Sequence, residues 1–218
     1  MEGKPIFLVP IEEIRRETKV VNSRFIATLA PAASVEVAQI LIDRVHKEFY
    51  DANHHVTAYI IGHGSSQTAH CSDSGEPAGS AGRPCLAVLK GSGLGDVAVV
   101  VSRYFGGNKL GIGGLVRAYS NAVRLVINDV HVARKVIAHK VMLGYGYPLV
   151  ERIRQMVSAH SGLVIVEDFN LEVTMVASFP VEYLPGFDLD LAKQTSGQVK
   201  TVIVQTSEVL LPLEKSNQ

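Results

Sequence analysis

The amino-acid sequence predicts an α+β protein of two domains, and three observations predict it. At 218 residues and 47% hydrophobic, the chain can bury two cores without disulfide or metal staples. Helical apolar stripes and short β-branched runs alternate along its length. Near residues 134–138 the pattern resets, placing one domain at 1–134 and a second at 138–218.

In the first domain, residues 24–29 read as a strand, and Pro31 with the N-cap candidate Ser34 introduces a helix. That helix turns Val37, Ile40, Leu41, Val45 and Phe49 inward and Glu36, Asp43, Arg44 and Lys47 outward. Strands at 56–61 and 67–72 flank a glycine–serine connection at 62–66, which suits a hairpin. Pro77 is placed to start a helix over 78–89. Gly79 and Gly82 inside it each cost roughly 1 kcal/mol relative to alanine, so a close backbone approach is expected there. The β-branched run 96–101 predicts a buried strand, which 102–105 carry out to a glycine-rich loop. A helix over 115–128 follows, with Leu115, Ala118, Tyr119, Ala122, Leu125 and Val126 inward and Arg117, Asn121, Arg124 and Asn128 on one polar face.

The second domain opens on a strand from Ile137 and continues into a helix begun at Pro148 and stopped at Gly162. Ile153, Met156 and Val157 face inward from that helix, with Leu149 at its start. Strands at 163–167 and 171–179 surround a tight turn at 168–170. A helical stretch over 184–195, delayed or kinked by Pro185 and Gly186, precedes a last strand at 198–206. The resulting β-α-β-β-α-β order is the split βαβ, ferredoxin-like arrangement.

Formal net charge is zero, which removes the simplest argument for a nucleic-acid binder and requires any cationic site to be local. The longest apolar run, 97–101, is far too short to cross a bilayer, and residues 1–10 lack the features of a secretory leader. A cytoplasmic protein without membrane contact is expected. Cys71 and Cys85, fourteen apart, match neither a CxxC nor a disulfide framework, so free thiols are expected. No metal-finger spacing is present, and no cofactor or metal is expected.

The most distinctive chemistry lies in 102–119, where Gly106, Gly107, Gly111, Gly113 and Gly114 sit between a strand and a helix. Glycines let a ligand approach the backbone, and a helix start adds partial positive charge. Residues 102–124 also hold Arg103, Lys109, Arg117 and Arg124 with no Asp or Glu. An anion site is the expectation, set against a plain tight turn beside a solvated basic face. It is no Walker loop, and Gly111-Ile112-Gly113 begins a dinucleotide fingerprint that Val116 breaks. A second candidate is Asp73 and Glu76, with His54, His55, His63 and His70 on neighbouring elements, a set able to supply acid, base or metal contacts. The structural alternative gives Asp73 or Ser74 to the turn and pairs Glu76 with the helix dipole, Arg103 or Lys109.

Taken together, Ser23-Arg24-Phe25-Ile26, Ser72-Asp73-Ser74-Gly75-Glu76-Pro77 through Pro84, and 102–119 closely resemble the IMPACT/YigZ family. The resemblance implies a first domain like domain IV of elongation factor G, a small ferredoxin-like second domain, and contact with RNA or the ribosome. Eukaryotic members regulate translation through an additional N-terminal domain that binds a protein partner. The stretch before Phe25 is too short for one, so that mechanism is not expected here. Ser74 stands where the family commonly has a second acidic residue, and Val56 where a cysteine often follows the histidine pair. These departures argue against two adjacent carboxylates as obligatory ligands and exclude a cysteine nucleophile after His55.

Three functional classes compete. The first is a non-catalytic nucleic-acid or ribosome-associated module, in which Arg103, Lys109, Arg117 and Arg124 contact phosphate and 106–114 presents amides. The second is an enzyme acting on a small phosphorylated or carboxylated ligand through Asp73 and Glu76. The third is an adaptor that binds a protein partner through the second domain.

Overall fold

A computed structural model describes residues 7–212. The protein is mixed α and β in two compact units, one running to Arg134 and the other covering Lys135–Leu211.

The first unit holds β1 (Phe7–Pro10), β2 (Ile14–Val20), β3 (Ser23–Pro31), α1 (Val35–Glu48), β4 (His54–Ile61), β5 (Thr68–Ser72), α2 (Gly82–Ser92), β6 (Val97–Tyr104) and α3 (Gly111–Asp129). Its antiparallel sheet runs β2-β3-β6-β4-β5. The β-branched run of β6 is continuous because both faces of this central strand are covered. Val97, Val99 and Val101 pack with α2 and α3, whereas Ala98 and Val100 pack with α1. Ser34 caps α1 by accepting the Val37 N–H at 3.3 Å, the role its position predicts.

Several expectations need correction. In α1 the inward stripe is Ala38, Leu41 and Val45, while Val37 and Ile40 are exposed. In α3, Val123 takes the buried place expected of Leu125. A narrow apolar stripe fixes a helix better than it fixes the helix's rotation against a sheet. Strands β1 and β2 carry no strong period: β2 is Ile-Arg-Arg-Glu-Thr-Lys-Val, and its charges suit a sheet edge, where they discourage pairing with another chain. The helix expected from Pro77 starts at Gly82. The predicted close approach is real at that glycine, where a Cβ would lie 2.8 Å from the Ser72 carbonyl carbon. Gly79 instead lies ahead of the helix.

The second unit continues through β7 (Val132–Tyr145), α4 (Val150–Ala159), β8 (Leu163–Phe169), β9 (Val173–Pro180), α5 (Leu184–Gln194) and β10 (Val202–Pro212); β7 pairs β1, β9 and β10, and β9 pairs β8. Ile153 and Val157 of α4 and Phe187 and Leu191 of α5 bury against Val141, Leu143, Met175 and Phe179. Pro185 sits in the first turn of α5, where its missing N–H is harmless, so no kink results. The β8–β9 turn falls at 170–172 rather than 168–170, and β10 begins at Val202 rather than at residue 198. No helix among the described residues is long and apolar enough to cross a membrane.

Candidate functional site

The turn after β5 is organised by Asp73. Its Oδ1 accepts the N–H groups of Ala81 and Gly82 at 3.0 and 2.8 Å, and its Oδ2 accepts that of Gly79 at 2.8 Å. The Ala81 and Gly82 amides are donors that the start of α2 cannot satisfy internally, Gly79 lies just ahead of the helix, and Ala81 at the N-cap offers no side-chain acceptor. The carboxylate therefore caps α2 from nine residues away, and 77–81 are held as a turn rather than as helix. Burial pushes the Asp73 carboxyl up, but the Gly79, Gly82 and Ala81 amides together outweigh it and hold it below the usual range. Ser74 follows with φ +48; its hydroxyl accepts the His55 N–H at 3.3 Å, and its carbonyl lies 2.9 Å from His54 Nδ1.

Glu76 points inward from the same turn. Its Oε1 accepts from Arg103 Nη1 at 2.6 Å and from the Tyr119 hydroxyl at 2.7 Å, with His54 Nε2 at 3.9 Å. Arg103 Nη2 also donates to Ser23 Oγ at 3.3 Å, which accepts the Gly106 N–H at 3.3 Å as well. The guanidinium lies between two rings, 5.4 Å from the centroid of Phe25 and 5.5 Å from that of Phe105. Burial, then the Glu76 contact, pushes the Tyr119 hydroxyl far above its ordinary value, so it remains a donor. The three motifs that carry the family resemblance thus converge on one buried polar knot.

This knot removes some residues from the candidate surface. Arg103 is only 4% exposed and is spent on Glu76 and Ser23, so it cannot reach an external phosphate. The pairing of Glu76 with Arg103 is the structural alternative weighed from the sequence. Asp73 and Glu76 both hold protein groups, and among the described residues no cluster of three or more His, Cys, Asp and Glu side chains is disposed to hold a metal. The histidines among the described residues each engage protein groups. His55 stacks on His46 and bonds Ser102 Oγ at 2.9 Å, His63 lies against Phe7, and His70 lies against Tyr59.

The remaining cations are on the outside. Lys109 is exposed on the loop, and Arg117 and Arg124 are exposed on α3, which starts at Gly111 and so takes Gly111, Gly113 and Gly114 into its first turn. No side chain caps that start. Gly106 fits only because it has no Cβ, which would collide with the Asn22 backbone, and Gly107 has φ +84. Beside α3 on the same sheet face lies α2, exposing Arg83 and Lys90. Between the two helices runs a shallow groove of about 500 Å³, lined by Val88, Val116, Ile127, Ser92, Ser120 and Arg124 among others. From residue 77 to residue 128 the only carboxylate is Asp96, which is buried and accepts the Gly62 N–H at 2.8 Å. Arg83 and Lys90 belong to the same carboxylate-poor run, N-terminal to 102–124. Ser23 and Tyr119 as partners of the knot had no sequence signal apart from their place in the motifs.

Comparison with known proteins decides the family. Residues 21–127 match the model of the Impact N-terminal domain. The IMPACT family member YigZ of Escherichia coli (strain K12) is 34% identical over 200 residues, covering 91% of this chain and 98% of that protein. The chain belongs to the IMPACT family. An IMPACT family member of Haemophilus influenzae is 30% identical over 203 residues, covering 93% of this chain and 98% of that one. A crystal structure titled as that of a hypothetical protein superposes with a TM-score of 0.62 at 33% identity, covering 93% of this chain and 99% of the other. These likenesses extend the IMPACT membership over both units.

Proposed function

We propose that this IMPACT family protein is a non-catalytic, translation-associated module that binds nucleic-acid phosphate backbone on the outer face of α2 and α3. The observation that carries the reading is the charge asymmetry of one segment. Residues 77–128 present Arg83, Lys90, Lys109, Arg117 and Arg124 at the surface while their single carboxylate, Asp96, is internal. The exposed side of α2 and α3 carries one carboxylate, Asp129 at the C-terminus of α3, which is paired with Arg16 at 2.6 Å. A neutral protein with such a carboxylate-poor face attracts a polyanion there without binding anions everywhere. The uncapped amides at the start of α3 add donors to the same strip. The β-α-β-β-α-β order, with β7 between β9 and β10 and β8 beyond β9, supports a ferredoxin-like reading of the second unit. With the resemblance of the first domain to domain IV of elongation factor G, this favours the ribosome as the place of contact.

Salt titration of RNA binding tests the proposal. With Arg103 internal, Lys109, Arg117 and Arg124 remain of the four cations first considered. With Arg83 and Lys90 they make five contacts to single-stranded RNA and a log–log salt slope of about −3.5, at about 0.7 per contact. Lys109→Ala and Arg117→Ala each reduce that slope by roughly 0.7. A flat salt response, or unchanged affinity in the double variant, refutes the reading.

A further inference from the structure

At one end of the sheet, the β2–β3 turn and the β6–α3 loop meet where Gly106 fits against the Asn22 backbone. Phe105, the residue before that contact, is 45% exposed although its position is fixed. Its N–H donates to Asn53 Oδ1 at 2.7 Å, and its ring lies 5.5 Å from the Arg103 guanidinium, which Glu76 and Ser23 hold in place. The next two residues, Gly106 and Gly107, have no side chain to lay over the ring. Across the contact, Val21 is 64% exposed with φ +55, a left-handed conformation that a β-branched residue usually avoids. Ile112, on the first turn of α3, is 67% exposed. The tip is thus apolar and open, and Lys109 lies in its loop while Arg117 lies one and a half turns into the following helix.

We infer that Phe105 is a stacking platform for the bases of single-stranded nucleic acid, which deepens the phosphate-backbone reading above and rests on it. An apolar tip in an acid-free, cationic stretch suits a ligand that is a polyanion and also shows flat apolar faces. Single strands offer both, whereas a duplex keeps its base faces stacked inside. The ring is held from beneath by a guanidinium that is itself fixed, so a base meets a surface already ordered, and little side-chain freedom is lost on binding.

Fluorescence anisotropy with the full chain and a labelled oligouridine of about twelve nucleotides, compared with an RNA duplex of equal length, tests the inference. Phe105→Leu keeps an apolar side chain and guards against unfolding, which a thermal melt verifies. It is expected to weaken single-strand binding by roughly 5- to 150-fold while leaving duplex affinity and the salt slope unchanged, whereas Phe105→Tyr retains binding. The chain contains no tryptophan, so Phe105→Trp supplies a unique emission signal that the oligouridine quenches on stacking. If Phe105→Leu binds the single strand as the parent does, or weakens both nucleic acids equally, the platform is wrong and the backbone reading survives through its Lys109 and Arg117 dependence. Binding of neither nucleic acid at low salt sinks both. A Phe105→Trp blue shift on anionic vesicles without RNA quenching reassigns the tip to a lipid surface and overturns the inference.

Discussion

Arg103 and Glu76 form an ion pair at 2.6 Å with side chains only 5% and 3% exposed, and the carboxylate oxygen they share also accepts the Tyr119 hydroxyl. Burying two charges is costly unless each remains partnered, so the pair is sensitive to removal of one side. Glu76→Ala, which leaves the guanidinium between Phe25 and Phe105 without its counter-ion, is expected to lower stability by about 3–5 kcal/mol in urea denaturation. Adding Arg103→Met to Glu76→Ala recovers part of that loss. Strict additivity of the two single effects shows that the pair is not coupled as described.

Two glycines close together in sequence are expected to respond in opposite ways. Gly106→Ala drives a methyl into the Asn22 backbone and lowers stability by about 1–3 kcal/mol, as overpacking does. Gly113, in the first turn of α3, has open space around it, so Gly113→Ala gains up to about 1 kcal/mol of helix propensity. Thermal melts of both variants check the contrast, and a destabilised Gly113→Ala contradicts it.

Asp73 links acid stability to the start of α2. Its carboxyl is held below the ordinary range, so its contribution is complete above the unfolded value of about 3.9 and is lost as pH falls through the folded value. Asp73→Ala removes the acceptor for three amides and is expected to cost about 0.5–2 kcal/mol at neutral pH. The variant also shows a shallower decline below about pH 4, measured by stability against pH. An unchanged acid limb assigns that decline to other carboxylates.

His55 acts in a separate window. Desolvation first, then the neighbouring His46 and His54, lowers its pKa, against a smaller opposing effect from the Phe49 backbone. The unfolded chain therefore takes up the proton first, and stability falls as pH drops below the unfolded value of about 6.5 toward the folded one. His55→Gln keeps a polar group near Ser102 and is expected to flatten the stability profile between about pH 5 and 7. Parent-like curvature in the variant assigns the titration elsewhere.

Much of the architecture was present in the one-dimensional pattern. The continuous valine run of β6 required two covered faces, Ser34 marked a cap, and the β-α-β-β-α-β order of the second unit followed from period changes and turn residues. Such features are local: spacing, a hydroxyl next to a helix start, or a ring that fixes φ acts within a few residues. The family, too, was readable from three motifs. Their purpose was not, because Ser23, Glu76, Arg103 and Tyr119 are far apart in the chain and acquire meaning only when β3, the turn after β5, β6 and α3 bring them within hydrogen-bond reach.

The sequence by itself therefore determined the element types, their order and the carboxylate-poor run at 77–128, whose single acid is Asp96. Only the tertiary structure decided which charges in that run face water. Folding turned Arg103 into the counter-ion of Glu76 and left Lys109, Arg117 and Arg124 outside. The physical reason is that a residue's charge is fixed by its chemistry, whereas its solvation is set by whatever the fold places around it.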